Sequence, residues 1–259
     1  MNTKDMNVVI IGSGNVATVL AKLIKHAGHT ITEIISRDIT HASTLAGEVN
    51  AIAKNDITQI STDADMYIMA VADSAIATIA EKLNINKGIV VHTSGAVPMQ
   101  VLSASGSGYG VLYPLQSLRK ENNFIPEIPL LIAGNDETVV GTIRNFAKSL
   151  SANVSVAGNQ ERLQLHIAAV IVSNFTNHLY TLTADYCAAE KINFGLLLPL
   201  IQEVANRLSY SQPAQMQTGP AIRNDNSTIE KHLAVLATYP ALAGLYAQLT
   251  KSIQTYYAK

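Results

Sequence analysis

The sequence predicts an α/β protein with a doubly wound, mostly parallel sheet in its N-terminal part and only helices in its C-terminal part. Apolar runs of strand length alternate with segments of helical periodicity up to about residue 156, which favours right-handed crossovers and a parallel sheet. A glycine-rich hexamer separates the first strand from the first helix, and no convincing strand follows Gly158. We therefore place a boundary near residue 158, between a sheet domain over 1–158 and a helical domain over 159–259.

The N-terminal elements follow from apolar periodicity and from the glycines that end them. Residues 6–11 form a short apolar run that ends at a glycine, as a buried parallel strand does. Helical spacing follows over 15–27, and Gly28 closes this helix before a second strand at Thr30–Ile35. Further strands are predicted at 66–71, 88–91, 109–112, 130–133 and 154–156, and further helices at 74–83, 98–103 and 137–150.

The C-terminal part has the periodicity of helices throughout. Helices are predicted at 160–190, 194–210, 227–237 and 240–257, with breaks at Pro213 and at the Gly219–Pro220 pair. The segment Leu163–Ala184 lacks Asp, Glu, Lys and Arg, but it contains histidine, glutamine and asparagine, which are costly in lipid. We therefore expect a buried helix here rather than a membrane span.

Composition excludes several classes of protein. The 259 residues are 48% hydrophobic and 14% charged, and the net charge of −1 is spread without a block of like charge, which argues against a nucleic-acid partner. The single cysteine, Cys187, cannot form an intramolecular disulfide and fits a reducing cytoplasm. Polar residues interrupt the first apolar run, as a signal peptide would not tolerate. We expect a cytoplasmic protein without a metal site, because no His or Cys cluster has metal-ligand spacing.

The hexamer Gly12–Ala17 matches the pattern G-x-G-x-x-G/A and lies between a predicted strand and a predicted helix. The first glycine permits a tight turn, the second lets the backbone approach a pyrophosphate, and the helix N-terminus offers free N–H groups to the phosphates. The context predicts a Rossmann dinucleotide-binding domain. The cofactor-binding residues of the hexamer are Gly12, Ser13, Gly14, Asn15 and Val16.

The end of the second strand favours NADP over NAD. An NAD site usually presents an acid there for the ribose 2′-OH, whereas this strand ends in Ser36 and Arg37, which suit a 2′-phosphate. Asp38 is the alternative acid, although it lies beyond the usual place. Val71 and Ala72 are expected to line the cofactor further along.

The sequence also predicts that Asp73 caps the helix starting at Ser74.

Candidate catalytic residues lie at the carboxyl edge of the sheet and on the long helix. His92 and Ser94 follow a strand, where ligands bind in open α/β sheets. On a helix of about 100° per residue, a polar but uncharged stripe is expected to line a cleft, although its members are equally able to bond one another or a partner's helix. The stripe consists of His166, Ser173, Asn177, Tyr180 and Thr181. We expect His92 or His166 to be the general acid, with Ser94 and Asn177 orienting the substrate.

Substrate contacts are expected from Tyr113, Gln116, Asn174 and Arg223. Arg223 suits bidentate binding of a substrate carboxylate, but pairing with Asp225 and capping of a helix end are equally open roles for it.

Four segments together resemble the Rossmann-like/DUF2520 family, within the 6-phosphogluconate-dehydrogenase-like group. They are Gly12–Ala17, His92–Ala96, Tyr113–Ser117 and Thr218–Asp225. The resemblance covers essentially the whole chain and implies an NADP- or F420-dependent oxidoreductase that forms a homodimer through its helical domain. Where many relatives have histidine this sequence has Tyr113, and a lysine partner of the kind used by related hydroxyacid dehydrogenases is absent between 160 and 190.

The sequence therefore favours an NADPH-dependent oxidoreductase that transfers hydride to a small carbonyl or imine bound between the two domains. A non-catalytic NADP(H)-binding or sensing protein, and an F420-dependent reductase, are the alternatives. Apolar surface at Leu196–Leu200 and Leu233–Leu249 predicts a homodimer built on the helical domain.

Overall fold

The computed structural model describes residues 5–122 and 124–258. The chain forms two compact units, Met1–Ser173 and Asn174–Lys259. The last strand ends at Val156 and the next helix begins at Asn159, so the change from mixed to helical structure precedes the end of the first unit.

A single sheet forms the centre of the first unit. In the described part of the chain it has eight strands, in the order β3-β2-β1-β4-β5-β6-β7-β8. Strands β6 and β7 are antiparallel, and the other neighbouring pairs run parallel within the described residues. The strands are β1 Asn7–Ile11, β2 Thr30–Ile35, β3 Ile52–Lys54, β4 Met66–Met69, β5 Ile85–His92, β6 Gly106–Pro114, β7 Leu130–Gly134 and β8 Val154–Val156. This order confirms the predicted doubly wound, mostly parallel sheet.

Helices cover both faces of the sheet. They are α1 Asn15–His26, α2 Ile39–Val49, α3 Asp73–Ala80 and α4 Glu137–Leu150, with α5 Asn159–Ala169 after the last strand. Alternate residues of β1 point to opposite sides: Val8 and Ile10 pack with α1, α2 and α4, whereas Val9 and Ile11 pack with α3. Because both faces of its strands are buried, this sheet reads in sequence as short continuous apolar runs.

Two local predictions need correction. Helix α3 begins at Asp73 itself and its N-cap is Ala72, so Asp73 is not the capping residue. The carboxylate instead lies in the first turn, where it interacts favourably with the helix dipole. The short helix predicted at 98–103 is a 3-10 turn over Met99–Leu102.

The region predicted as one long helix over 160–190 consists of three consecutive segments. Helix α5 is followed by a π-helical segment, Val170–Phe175, and then by α6, Thr176–Ala189. The rotation of about 100° per residue that the stripe assumed does not hold across a π-helical segment. The second unit continues with α7 Leu198–Arg207, α8 Asn226–Val235 and α9 Pro240–Tyr257.

The long helical region is also more exposed than predicted. Ile167, Ile171, Val172 and Phe175 are between 53% and 72% exposed in the single chain. The expectation of a buried helix is therefore wrong for this chain alone. Within the described residues, the helices are too short or too polar to cross a lipid bilayer.

Candidate active site

The glycine loop joins β1 to α1, and its two glycines meet different structural requirements. Gly12 has φ of +128°, its N–H donates to the Ile35 carbonyl at 2.7 Å, and a Cβ at this position would lie 2.1 Å from the Ala70 carbonyl oxygen. Gly14 has an ordinary φ of −82°, and a Cβ there would meet no described atom within 4 Å. The backbone at Gly14 is therefore open, as the approach of a pyrophosphate requires.

A cavity of about 1290 Å³ lies against this loop. All of the residues predicted to bind a dinucleotide line it: Gly12, Ser13, Gly14, Asn15, Val16, Ser36, Arg37, Val71 and Ala72. Thr93 and Asp73 also line it, beyond Ala72. The cavity exceeds the volume of about 300–1,000 Å³ that serves most small ligands, so it has room for an extended dinucleotide.

Serine and arginine side chains line the cavity at the end of β2, where the sequence predicts the ribose of a dinucleotide. Ser13 Oγ donates a hydrogen bond to Ser36 Oγ over 2.8 Å, which ties the glycine loop to the end of β2. Asp38 is the N-cap of α2 and accepts from the N–H groups of Thr40 and His41, and its bonds to Thr40 lower the pKa of the carboxyl. Because Asp38 has this capping role, its carboxylate already has hydrogen-bond partners within the protein.

A tyrosine–histidine pair lies at the carboxyl edge of the same sheet. Tyr113, near the end of β6, has its hydroxyl 2.9 Å from Nδ1 of His166 on α5, and the two rings meet edge to face. Burial raises the pKa of the Tyr113 phenol, with a smaller contribution from the charge of Asp73, so the phenol keeps its proton near neutral pH. The Tyr113 oxygen of this pair therefore carries a proton that can be transferred.

Gly95 makes room for this pair. A Cβ on Gly95 would lie 2.7 to 2.9 Å from Cγ, Nδ1 and Cβ of His166. A side chain at 95 would displace the imidazole from Tyr113, so the glycine of the His92–Ala96 segment is needed for close approach rather than for backbone conformation.

Arg162 links this segment to α5, and it is a residue that the sequence analysis missed. Its side chain is 1% exposed, Nε donates to the Ser94 carbonyl at 3.2 Å, and Nη2 donates to the Val97 carbonyl and to Asn159 Oδ1. Nη1 has no hydrogen-bond partner among the described residues. The guanidinium fixes α5, and therefore His166 one helical turn later, against the turn at 94–97.

His92 and Ser94 have structural roles in that turn. The Ser94 N–H donates to His92 Nδ1 at 3.2 Å, and Ser94 Oγ accepts from the N–H groups of Ala96 and Val97. His92 is fully buried, and its Nε2 lacks a partner in the residues that the structure describes. Burial lowers the pKa of His92 from 6.5 to about 4, with a further contribution from the charge of Arg162, against a small opposing effect of the Pro98 carbonyl.

We expect His92 to make folding sensitive to acid. Its folded pKa of about 4 lies below the ordinary 6.5, so stability is full above pH 6.5 and is lost as the pH falls towards 4, by roughly 3 kcal/mol in total. His92→Asn keeps an acceptor for the Ser94 N–H but does not titrate. Urea unfolding at pH 7 and pH 5 should show a loss about 2 kcal/mol larger in the wild type than in the variant. Equal losses would mean that His92 is not held neutral.

The remaining predicted site residues are exposed. Gln116 is exposed in the loop after β6, where its side chain accepts from the Ser117 N–H. In the second unit, Asn174 and Asn177 are exposed at the start of the helical region. Arg223 is exposed. Hydrogen bonds from Thr228 lower the pKa of Asp225, the N-cap of α8, and the charge of Arg223 contributes less.

Comparison with known proteins identifies the family. Residues 1–115 match the Rossmann-like domain, and residues 128–253 match the domain of unknown function DUF2520. A "putative NADP oxidoreductase" from Bacteroides fragilis is 37% identical over 97% of this chain and 98% of that chain, with a TM-score of 0.91. This chain belongs to the DUF2520 family of Rossmann-like proteins. The family membership confirms the resemblance found in the sequence.

More distant structures share the fold of this DUF2520 protein. A protein from Thermotoga maritima is 24% identical over 97% of this chain and all of that chain, with a TM-score of 0.80. A 1-pyrroline-5-carboxylate reductase from Streptococcus pyogenes is 14% identical over 96% of this chain and 100% of that chain, with a TM-score of 0.67. No curated protein matches the chain.

Proposed function

We propose that this DUF2520 protein is an NADPH-dependent reductase of small carbonyl or imine compounds. One observation carries the proposal: a dinucleotide-sized cavity on an open glycine loop is also lined by Thr93, which belongs to the same segment as Gly95, the residue that packs on the Tyr113–His166 pair. The first unit thus holds, at one sheet edge, a place for a hydride donor and a proton donor. The relatives named as an NADP oxidoreductase and as a reductase of a cyclic imine support the same class.

NADP is the favoured cofactor because of the ribose end of the cavity. Arg37 and Ser36 line this end, and the nearby acid, Asp38, is engaged as a helix cap. The open backbone at Gly14 and the N-terminus of α1 suit the pyrophosphate. Bound NADPH would supply a hydride to the carbon of the C=O or C=N group.

The protein's own contribution is the proton. As hydride adds to carbon, the oxygen or nitrogen of the substrate gains electron density, and the Tyr113 hydroxyl is placed to give it a proton. A proton then returns from solvent to the tyrosine oxygen through His166, whose Nδ1 is 2.9 Å from that oxygen and whose imidazole is half-buried. We therefore assign proton donation to Tyr113 and His166 rather than to His92, whose ring is buried and held neutral.

The first experiment is a titration with NADPH and NADH followed by nicotinamide fluorescence, because the chain has no tryptophan. We expect NADPH to bind at least about tenfold more tightly, and Arg37→Ala to remove this preference. A panel of small carbonyls and cyclic imines is then screened for NADPH oxidation. Binding without turnover of any compound would contradict the reductase and support an NADP(H) sensor, and binding of neither cofactor would favour F420.

We also propose a homodimer. Exposed apolar residues are concentrated in the helical region, and an exposed set of this size is unusual for a monomer. Those in the second unit include Leu196, Leu198, Leu200, Val204, Leu208 and Tyr210, which are between 49% and 73% exposed. Light scattering at micromolar concentration should give twice the chain mass of 27.7 kDa, and a monomeric mass would contradict the proposal.

A further inference from the structure

A second, smaller cavity lies beside the glycine loop. Its volume is about 290 Å³, and it is formed by α1, α2 and the loop after β6. Ser13 and His41 line this cavity and the dinucleotide cavity alike, so the two cavities meet at these side chains. Thr18, Lys22, Thr44, Glu48, Lys120 and Glu121 are among its other lining residues.

Among the charged residues around this cavity, one lysine has no ion-pair partner within the described residues. Lys22 pairs with Glu48 at 3.3 Å, and Glu121 pairs with Arg119 at 3.7 Å. Lys120 forms no ion pair within 4 Å in the part of the chain that the structure describes. Its main-chain N–H donates to Asn15 Oδ1 at 3.3 Å, which holds the loop after β6 against the first residue of α1. A cation from a distant part of the sequence is thus positioned beside the glycine loop.

The electrostatics of the ribose end call for such a cation. A 2′-phosphate carries up to two negative charges, and its ribose is held at the end of the second strand, where Ser36 is tied to Ser13. Arg37 offers one positive charge there, but the ionised Asp38 lies next to it and opposes it. His41 is 3.6 Å from Asp38 and offsets that carboxylate when protonated. A dianion at this point needs a further positive charge for a stable site.

We propose that the 2′-phosphate of the dinucleotide lies where the two cavities meet, at Ser13 and His41, and that Lys120 binds it from the small cavity while Arg37 binds it from the dinucleotide cavity. This inference rests on the proposed NADPH-dependent function and extends it. It makes cofactor preference depend on a residue outside the strand-end motif.

The test compares Lys120→Ala with Lys87→Ala, which removes an exposed lysine that lines neither of the two cavities. Lys120→Ala keeps the main-chain bond to Asn15, so the loop retains its anchor. We expect the Kd for NADPH to rise about tenfold in Lys120→Ala, with the Kd for NADH unchanged. Lys87→Ala should leave both constants near their wild-type values, and Lys120→Arg, which keeps the positive charge, should bind NADPH about as tightly as the wild type.

Three results would overturn the inference. Equal weakening of NADPH and NADH binding would indicate that Lys120 contacts the pyrophosphate. Unchanged binding of both cofactors would show that Lys120 does not contact the cofactor. In either case the reductase proposal stands, because the wild type still binds NADPH. If the wild type binds neither NADPH nor NADH, the proposed function fails together with the inference.

Discussion

Replacing Tyr113 by phenylalanine is expected to lower NADPH-dependent turnover by about a hundredfold to a thousandfold, with NADPH affinity unchanged. The variant keeps the ring, which packs with Leu131 and Ala133 of β7, but removes the hydroxyl that contacts His166 Nδ1 at 2.9 Å. Because a proton must still reach the substrate, water replaces the positioned donor and the barrier rises. Steady-state rates on the best compound of the panel, together with an NADPH titration, measure both effects.

The control is a second tyrosine on the same strand. Tyr109→Phe also removes one hydroxyl from β6, but Tyr109 lies four residues before Tyr113, and its main-chain N–H donates to Asn135 Oδ1. Its turnover should equal that of the wild type. His166→Asn should lower turnover as well, since it breaks the same pair. Full activity of Tyr113→Phe would show that the proton comes from another group.

Alanine at Gly12 and at Gly14 should separate folding from cofactor binding. At Gly12 the new Cβ meets the Ala70 carbonyl oxygen in a left-handed region of backbone, so we expect a loss of stability of about 3 kcal/mol. At Gly14 the backbone is already acceptable to alanine and the space is free of described atoms, so stability should hold or rise by about 0.4–1 kcal/mol. The added methyl at 14 occupies the path of the pyrophosphate, and NADPH binding should weaken at least about tenfold.

Urea unfolding and NADPH titration of the two variants provide the measurements. Undiminished NADPH binding by Gly14→Ala would mean that the pyrophosphate does not lie on this loop. A Gly12→Ala variant as stable as the wild type would show that β1 and the end of β4 can move apart at little cost.

The sheet was predictable because its strands are buried on both faces. Val8–Ile11 and Met66–Met69 are almost fully buried, so they stand out as apolar runs whatever the rest of the fold. Helix α2 and the short edge strand β3 were not predicted, since α2 has few large apolar residues and β3 contains only three residues. The Asp38 cap was the available signal for α2, because aspartate before a threonine-rich helical start is a typical N-cap.

The residues that line the large cavity were predictable for a different reason, since they form short contiguous segments that follow strand ends. The contact between Tyr113 and His166 was not predictable, because the two residues are 53 positions apart and only the packing of α5 on the sheet joins them. Arg162 was missed although a signal existed: it precedes His166 by four residues and therefore lies on the same face of the helix. A single arginine at a helix start is usually solvated, so only burial identifies its role.

The antiparallel pairing of β6 with β7 has a consequence for how the chain can be divided. The Rossmann-like match ends at residue 115 and the DUF2520 match begins at residue 128, yet Val111 and Tyr113 lie opposite Ala133 and Leu131 in one continuous ladder. A fragment that ends between the two matches would contain β6 without β7. Its β6 would then be an unpaired apolar edge strand, which favours pairing with strands of other molecules. The segments that recur in evolution are therefore not segments that fold alone, and any exchange of domains between relatives should carry β7, α4 and β8 together with the dinucleotide half.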